Sequence, residues 1–401
     1  MRSLLQNRTL LSFAVAHFCV DLCSGALSVF IVFYAQTLNL SIAQSGLVLG
    51  VYTLVSSLTQ PIFGYMSDRF GGRWQSAAGL VCIAVFLGLT GYAQSYGLLM
   101  ALVCLAGVGS AIFHPHGASD ARKADPVRKT AAMSVFMLGG NAGYALGPSL
   151  AAVSMSGLGS HGSLIVLGLG LALAPLVFAY SGRDRVHDAS RALHTTDAPT
   201  TPRFTKLALV ALMLVMFFRA WASAATTAYS PVYFPQLAGF TVQGASLLST
   251  VYLLSLSLGG LIGGVVSDRV GGRTVLMIAL LVFGPATFLM FWTRDVNAFW
   301  FAPLAGFAAG ASWPPLIVMA QDAIPRHSGV ASGLALGTAF AMGGIGVTVT
   351  GFLAEPHVFG LGSVIPLIGV LPLLSAVCAL PLPGVSIRCM LKSKFISPAR
   401  A

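Results

Sequence analysis

One ten-residue segment of this chain occurs twice, 200 positions apart. The copies are GYMSDRFGGR at 64–73 and GVVSDRVGGR at 264–273, so the glycines, the serine, the aspartate and both arginines keep their places. Each copy lies where a long apolar run ends in a short charged turn. A solvated turn whose charges only set the topology would not repeat at a constant spacing. The repeat therefore predicts a chain built from one module written twice, with equivalent loops in its two halves.

The chain has too few polar side chains to cover a water-soluble protein. Of its 401 residues, 56% are hydrophobic and only 8% are charged, and no Asp, Glu, Lys or Arg occurs in 22–67, 74–119 or 130–182. A helix needs about 20 apolar residues to cross a bilayer, so each window is long enough for two spans. With a first span that contains Asp21, the predicted spans of the first half are 9–36, 42–66, 74–94, 96–118, 130–155 and 161–181.

The second half repeats this pattern. Its predicted spans are 206–236, 243–266, 274–293, 297–321, 328–354 and 361–383. The predicted fold is an all-α integral membrane protein with twelve transmembrane helices, arranged as two pseudo-symmetric six-helix bundles. The predicted domains are an N-terminal bundle at 1–181, a cytoplasmic linker at 182–205, a C-terminal bundle at 206–384 and a cytoplasmic tail at 385–401.

Basic residues fall almost entirely on one side of the predicted membrane. All 22 Lys and Arg except Arg219 and Arg294 lie in the N-terminus, the even-numbered loops, the linker or the tail. Because cytoplasmic loops accumulate Lys and Arg, both termini are predicted to be cytoplasmic. The net charge of +11 then follows from topology. Nucleic-acid binding is not needed to explain it, and we expect none.

The repeated segment resembles the loop 2–3 signature of the major facilitator superfamily, a family of transporters. The resemblance implies a gate that holds the cytoplasmic side shut. In this gate Asp68 would meet the N-terminal end of span 11 near Ser328, and Asp268 would meet the end of span 5 near Thr130. Each carboxylate would be favoured there by the helix dipole.

A small charge network is expected beside this gate. Asp120 and Arg122, at the inner end of span 4, are expected to join Arg69 and Arg73. Exposed pairs of this kind are individually weak, so their expected role is to bias a two-state equilibrium. The residues assigned to the cytoplasmic gate are Asp68, Arg69, Arg73, Asp120, Asp268, Arg269 and Arg273.

A second signature is GGNAGYALGP at 139–148 in span 5. Gly139, Gly143 and Gly147 are spaced by four, which lets helices approach closely, and Pro148 opens the hydrogen-bond ladder. The segment resembles the span 5 motif of drug and metabolite antiporters in the same superfamily, and plain small-residue packing is the alternative. Segments at 16–21, 56–61 and 109–115, most specifically Phe113-His114-Pro115, resemble the fosmidomycin-resistance subfamily of bacterial drug-efflux facilitators.

Ionisable side chains inside a membrane are costly and usually line a pathway. His17 and Asp21 are four residues apart in span 1, hence on one helical face. Arg219 lies near the middle of span 7, at the depth equivalent to position 19. We predict that the three converge on a midplane cavity in which Asp21 and His17 carry a proton and Arg219 binds the substrate. The alternative is a permanent Asp21–Arg219 pair, with His17 donating to a backbone carbonyl.

Prolines match between spans 4 and 10 at the same spacing. Pro115 and Pro315, with Phe113 and Trp313 before them, predict that both helices are locally broken at matching depth. The alternative is that the prolines only shape packing, and lone amides in a bundle often serve as interhelical glue. The predicted substrate-binding residues are Arg219, His114, Asn141, Gln60 and Trp313.

These features predict a proton-coupled secondary active transporter, a drug/proton antiporter that exports a small anionic organic compound by alternating access. The subfamily resemblance implies fosmidomycin-like antibiotics as substrates and the bacterial inner membrane as location. No ATP-binding loop, catalytic triad or zinc pattern occurs in the sequence, so we expect no enzyme activity, metal or cofactor, and a proton gradient as energy source. Expected partners are a small molecule, protons and lipid, with the chain a monomer. The alternatives are a proton-coupled importer of a small anionic metabolite and a non-transporting membrane sensor.

Overall fold

The computed structural model describes residues 6–40, 42–70, 74–180, 204–324 and 327–384. Most of these residues are helical, and the described ranges contain no β-strand. The predicted tail at 385–401 and most of the predicted linker at 182–205 lie outside the described residues, as does Arg73. The predicted domain boundaries therefore stay predictions.

The first half is described as seven α-helices, the first of which begins at a capping side chain. Asn7 accepts a hydrogen bond from the Leu10 N–H (3.1 Å), and its own amide donates to the Ala124 carbonyl (2.9 Å). This side chain therefore caps the first helix and ties it to the end of the fifth. The helices are α1 Arg8–Thr37, α2 Ile42–Leu58, α3 Gln60–Phe70, α4 Trp74–Gly88, α5 Tyr96–Lys123, α6 Lys129–Leu158 and α7 Leu164–Tyr180.

The second half continues with eight helices in its described residues. They are α8 Lys206–Leu237, α9 Val242–Val270, α10 Gly272–Trp292, α11 Ala298–Ala311, α12 Trp313–Ala323, α13 Ser328–Leu353, α14 Leu361–Leu367 and α15 Val370–Cys378. Only Gly271 separates α9 from α10, and its φ is +96°. Side chains disfavour this conformation, so the second copy of the repeated segment needs a glycine at its turn.

The number of membrane spans agrees with the prediction. Eleven described helical stretches are long and apolar enough to cross a membrane, and one of them, Lys129–Ala179, has 51 residues. At 1.5 Å per residue this stretch would measure about 75 Å, more than twice the hydrocarbon core. It contains α6 and α7 and therefore crosses twice, which gives twelve spans. The observed ends lie within several residues of the predicted ones.

The predicted breaks in spans 4 and 10 are right for one span only. Span 10 is interrupted at Ser312, between α11 and α12, directly before Trp313 and the two prolines that follow it. By contrast α5 runs through Pro115 without a break, so that prediction was wrong for span 4. Proline cannot donate to the helix ladder. One missing hydrogen bond is tolerated in a 28-residue helix, whereas two consecutive prolines remove two.

The chain divides into two compact units. The first is Met1–Thr201 with Ala320–Met342, and the second is Pro202–Met319 with Gly343–Ala401. In the first unit α3 and α13 cross with their backbones in contact, since a Cβ added at Gly64 would lie 2.3 Å from the carbonyl oxygen of Gly329. The start of α13 is therefore held against the end of span 2.

Close packing of α1 against α6 positions the residues of the candidate site. A Cβ added at Gly139, Gly143 or Gly147 would lie between 2.0 and 2.4 Å from a carbonyl oxygen of α1. No side chain fits at these positions, so the expected close approach of the glycine stripe is present. Pro148 lies inside the same helix.

Candidate functional site

Asp21 lies between two histidines near the middle of α1. Its Oδ2 is 3.2 Å from Nε2 of His17, one turn earlier on the same helix, and its Oδ1 is 3.2 Å from Nε2 of His114 on α5. The expected contact between His17 and Asp21 is present. His114, predicted as a substrate ligand, also contacts the carboxylate, and its role in substrate binding stays a prediction. We refer to the three residues as the Asp21 cluster.

Both imidazole rings are held from behind by backbone carbonyls. Nδ1 of His17 lies 2.9 Å from the Phe136 carbonyl oxygen, and the imidazole ring of His17 stacks on the phenyl ring of Phe136 with 4.1 Å between the ring centres. Nδ1 of His114 lies 2.8 Å from the Ser110 carbonyl oxygen. A carbonyl oxygen only accepts, so Nδ1 carries a hydrogen in both rings. The Nε2 atoms are therefore the ones that face the carboxylate of Asp21.

This arrangement makes the charge of the Asp21 cluster variable. If the carboxylate is ionised and both Nε2 atoms are unprotonated, acceptors face acceptors at both 3.2 Å contacts and the net charge is −1. Each contact becomes a hydrogen bond only when it holds a proton, and each proton adds one unit of charge. Without a proton at either contact, acceptor atoms would face each other in a buried environment, which is unfavourable.

Gly140 leaves the space in which the Asp21 cluster forms. A Cβ added there would lie 2.4 Å from Nε2 of His17 and 2.7 Å from Oδ2 of Asp21. The sequence showed Gly140 beside the predicted stripe but gave no sign of this role, because the facing side chains belong to another helix.

Gly140→Ala is expected to displace the two side chains and to abolish substrate transport, with a loss of stability of about 1–3 kcal/mol from overpacking. Gly157→Ala on the same helix is the matched control, since a Cβ there meets nothing within 4 Å. Transport by purified protein in liposomes and thermal unfolding would be compared for both variants. Normal transport by Gly140→Ala would show that the observed geometry is not required.

Arg219 lies on α8 with its guanidinium buried. Nη2 donates to the Ala309 carbonyl oxygen (2.8 Å), Nε donates to Oγ of Ser312 (3.1 Å), and the guanidinium carbon lies 4.4 Å from the centre of the Trp313 ring. The break between α11 and α12 thus supplies its hydrogen-bond acceptors and its aromatic face. Among the described residues of the second unit, no carboxylate pairs with Arg219. Its predicted convergence with Asp21 on one cavity, and the alternative of a permanent pair between them, stay predictions.

The two predicted amide ligands have different surroundings. Gln60 is buried at the start of α3, and its Oε1 has no hydrogen-bond partner within the described residues. Asn141 is half-buried on α6, directly after Gly140. Their roles in substrate binding stay predictions.

Asp68 caps the first turn of α13. Its two carboxylate oxygens accept hydrogen bonds from the backbone N–H groups of Gly329 (2.8 Å) and Val330 (2.9 Å). The expected contact of Asp68 with the start of span 11 is therefore present. Two N–H donors and the helix dipole both favour the ionised carboxylate there.

Asp68→Asn is expected to speed amide hydrogen exchange at the start of α13 by about fivefold, because asparagine keeps only one of the two acceptor oxygens and loses the charge that the helix dipole favours, a loss of about 1 kcal/mol. Exchange measured by mass spectrometry on peptides that contain Gly329 and Val330 tests this. Asp295→Asn, which alters an exposed loop carboxylate, is the control. Unchanged exchange in Asp68→Asn would mean that other contacts hold the helix end.

Two residues of the predicted charge network have partners that were not predicted. Arg122 and Lys129 both contact the carboxylate of Asp322, with Nζ of Lys129 at 2.6 Å. Asp120 lies 3.2 Å from Nζ of Lys123 and 3.6 Å from Nε2 of His116. Because Arg73 lies outside the described residues, the network of Asp120 and Arg122 with the span 2 arginines stays a prediction. The sequence did contain a signal, since residue 322 follows residue 122 by the repeat distance of 200.

Two arginines of the repeated segments, Arg69 and Arg273, contact neutral groups. Nη1 of Arg69 donates to the Tyr65 hydroxyl (2.9 Å), and Nη2 of Arg273 donates to the Leu380 carbonyl oxygen (2.5 Å). Asp268 and Arg269 lie in the last turn of α9. The expected contact of Asp268 with span 5 stays a prediction.

The twelve apolar spans of the described residues, with ionisable side chains buried among them, define a multi-pass membrane protein with the architecture of a transporter. Residues 13–246 and 212–388 match the family model of the Major Facilitator Superfamily. The chain belongs to this superfamily, whose members are transporters and not enzymes.

Individual relatives agree with this assignment. The chain is 31% identical to the fosmidomycin resistance protein of Escherichia coli K12 over 347 residues, which are 83% of this chain and 84% of that protein. It is 27% identical to the uncharacterized MFS-type transporter YfnC of Bacillus subtilis 168 over 384 residues, covering 94% and 91%. The structure of the fucose:proton symporter FucP of E. coli matches with a TM-score of 0.71 and 12% identity, covering 97% of this chain and 98% of that one. This chain therefore resembles the fosmidomycin-resistance subfamily.

Proposed function

We propose that this chain is a drug/proton antiporter. It exports a small anionic organic compound, such as a fosmidomycin-like antibiotic, by alternating access and uses the proton gradient as its energy source. The observation that carries the proposal is the buried contact of one carboxylate with two imidazoles in the Asp21 cluster. The resemblance to a fosmidomycin resistance protein supports the direction and the substrate class.

Proton coupling requires a buried group whose charge changes at an accessible cost. Asp21 has 19% of its side chain exposed, and His17 and His114 have 5% and 6%. The histidines are therefore buried, whereas the carboxylate is partly exposed. In such surroundings an unpaired charge is costly, and the preferred number of protons depends on the other charges that are present. Coupling follows if proton and substrate occupancy bias the same conformational equilibrium.

An anionic substrate is supported by Arg219. A buried guanidinium without a carboxylate in its unit carries a desolvation cost that a bound anion offsets. Guanidinium N–H groups bind carboxylate and phosphate-like oxygens in a bidentate manner, and the Trp313 ring already covers one side of this guanidinium. His114 serves the proton in this proposal, while Gln60 and Asn141 remain candidate substrate ligands.

The remaining assignments complete the proposal. Asp68, Asp120, Asp268 and the arginines of the repeated segments form a gate on the cytoplasmic side. The chain lies in the bacterial inner membrane as a monomer, with both termini in the cytoplasm. This orientation is supported by the distribution of the basic residues.

The test is flux measurement in proteoliposomes that contain a pH-sensitive dye. Fosmidomycin and a panel of small anions are added to wild-type protein under a proton gradient, and substrate flux and internal pH are followed together. Proton movement opposite to the substrate supports the antiporter. Movement in the same direction would replace it with a proton-coupled importer. Substrate flux without any proton movement would reduce the function to facilitated diffusion and contradict the proposed role of the Asp21 cluster.

A further inference from the structure

The Asp21 cluster has the composition and spacing of a metal site. Nε2 of His17, Nε2 of His114 and a carboxylate oxygen of Asp21 all lie within 4.8 Å of one another. Ligands about 2.0–2.1 Å from a tetrahedral Zn²⁺ are about 3.3 Å apart. Nε2 of His17 lies 3.2 Å from Oδ2 of Asp21, and Nε2 of His114 lies 3.2 Å from Oδ1, so each ring nitrogen is at about this distance from one of the two carboxylate oxygens.

The orientation of the rings is an independent observation that points to a cation. Metal-binding histidines usually donate their second ring N–H to a backbone carbonyl or carboxylate, which fixes the tautomer and aims the other nitrogen at the metal. Both rings have this arrangement, through the carbonyl oxygens of Phe136 and Ser110. In the neutral form their Nε2 lone pairs then point at a carboxylate that also only accepts. A cation between the three groups satisfies all of them.

We propose that the Asp21 cluster binds one divalent transition-metal ion of the zinc class. Two imidazoles and one carboxylate suit Zn²⁺ and Co²⁺, whereas Mg²⁺ prefers oxygen ligands and retains several waters. A tetrahedral ion needs a fourth ligand. Since the carboxylate is the most exposed of the three groups, the fourth coordination position lies on its side and takes water or another oxygen donor. The sequence gave no zinc pattern because the ligands come from two helices.

Charge also favours an ion of this valence. A divalent cation placed among one carboxylate and two neutral imidazoles leaves a net charge of only +1, because the carboxylate neutralises half of the charge of the ion. This inference concerns the same site as the proposed function, but metal binding itself does not require transport.

The experiment is titration of the purified, tag-free protein with Co²⁺ at constant pH, followed by visible absorption and calorimetry. Wild type is expected to bind one Co²⁺ per chain with the absorption of a tetrahedral site, and Zn²⁺ but not Mg²⁺ is expected to displace it. Asp21→Asn and His17→Gln each remove a ligand and are expected to weaken binding about tenfold or more. His116→Gln, which changes a buried histidine of α5 outside the cluster, is expected to retain it.

Two results would overturn the metal site. One is the absence of a tetrahedral Co²⁺ signal in wild type. The other is unchanged binding in both Asp21→Asn and His17→Gln, which would place the ion elsewhere. Size-exclusion profiles and thermal unfolding verify that the variants are folded. The Co²⁺ result for wild type does not depend on the variants. Failure of metal binding leaves the flux experiment on the proposed function unaffected, and failure of proton coupling leaves the Co²⁺ titration interpretable.

Discussion

Asp21→Asn is expected to abolish substrate-driven proton movement while the protein still folds. Asparagine has nearly the same shape, and its amide donates a hydrogen bond to an Nε2 lone pair, so the packing of α1, α5 and α6 is preserved. The side chain can no longer exchange between a charged and a neutral form, however. The pH-sensitive dye in proteoliposomes gives the measurement, and the expected signal is indistinguishable from that of empty liposomes.

Glu355→Gln is the matched control for this experiment. Glu355 is an exposed carboxylate after the end of α13, and its neutralisation is expected to leave proton movement unchanged. Proton-driven transport of normal size by Asp21→Asn would rule out Asp21 as the coupling carboxylate. The contacts with His17 and His114 would then have a structural role only.

Arg219→Ala is expected to lower the affinity for an anionic substrate more than Arg219→Lys does. Alanine removes the buried cation, whereas lysine keeps the charge and loses the planar contacts with Ala309, Ser312 and Trp313. Losing one partner of a buried charge pair costs about 2–5 kcal/mol, so the expected loss for alanine is about thirtyfold or more. Substrate binding to purified protein, by calorimetry or by protection against thermal unfolding, measures both variants.

The comparison of the two Arg219 variants separates charge from geometry. A small effect of lysine and a large effect of alanine would indicate that the positive charge binds the substrate. Equal losses of affinity in the two variants would show that the shape of the guanidinium matters instead, because it binds the last turn of α11 and the break before α12 through hydrogen bonds to Ala309 and Ser312. Trp313→Phe keeps an aromatic face over the guanidinium and is expected to retain binding.

The sequence by itself determined the number, position and length of the spans. A bilayer-crossing helix needs a fixed number of apolar residues, and a charged turn between two such runs can only lie outside the hydrocarbon. The contact of His17 with Asp21 was equally accessible, because residues four apart share a helical face whatever the tertiary structure. The repeat also predicted the contact of Asp68 with α13, through the family resemblance it carries.

Only the tertiary structure decided which helices supply the partners. His114 joins Asp21, Gly140 leaves the space for their contact, and Lys129 contacts Asp322 beside Arg122. These contacts depend on the rotation of each helix about its axis and on how closely the backbones cross, and both are set by packing over whole helices. A local pattern contains no such information. The buried charges were therefore visible in the sequence, but the cluster that they form was not.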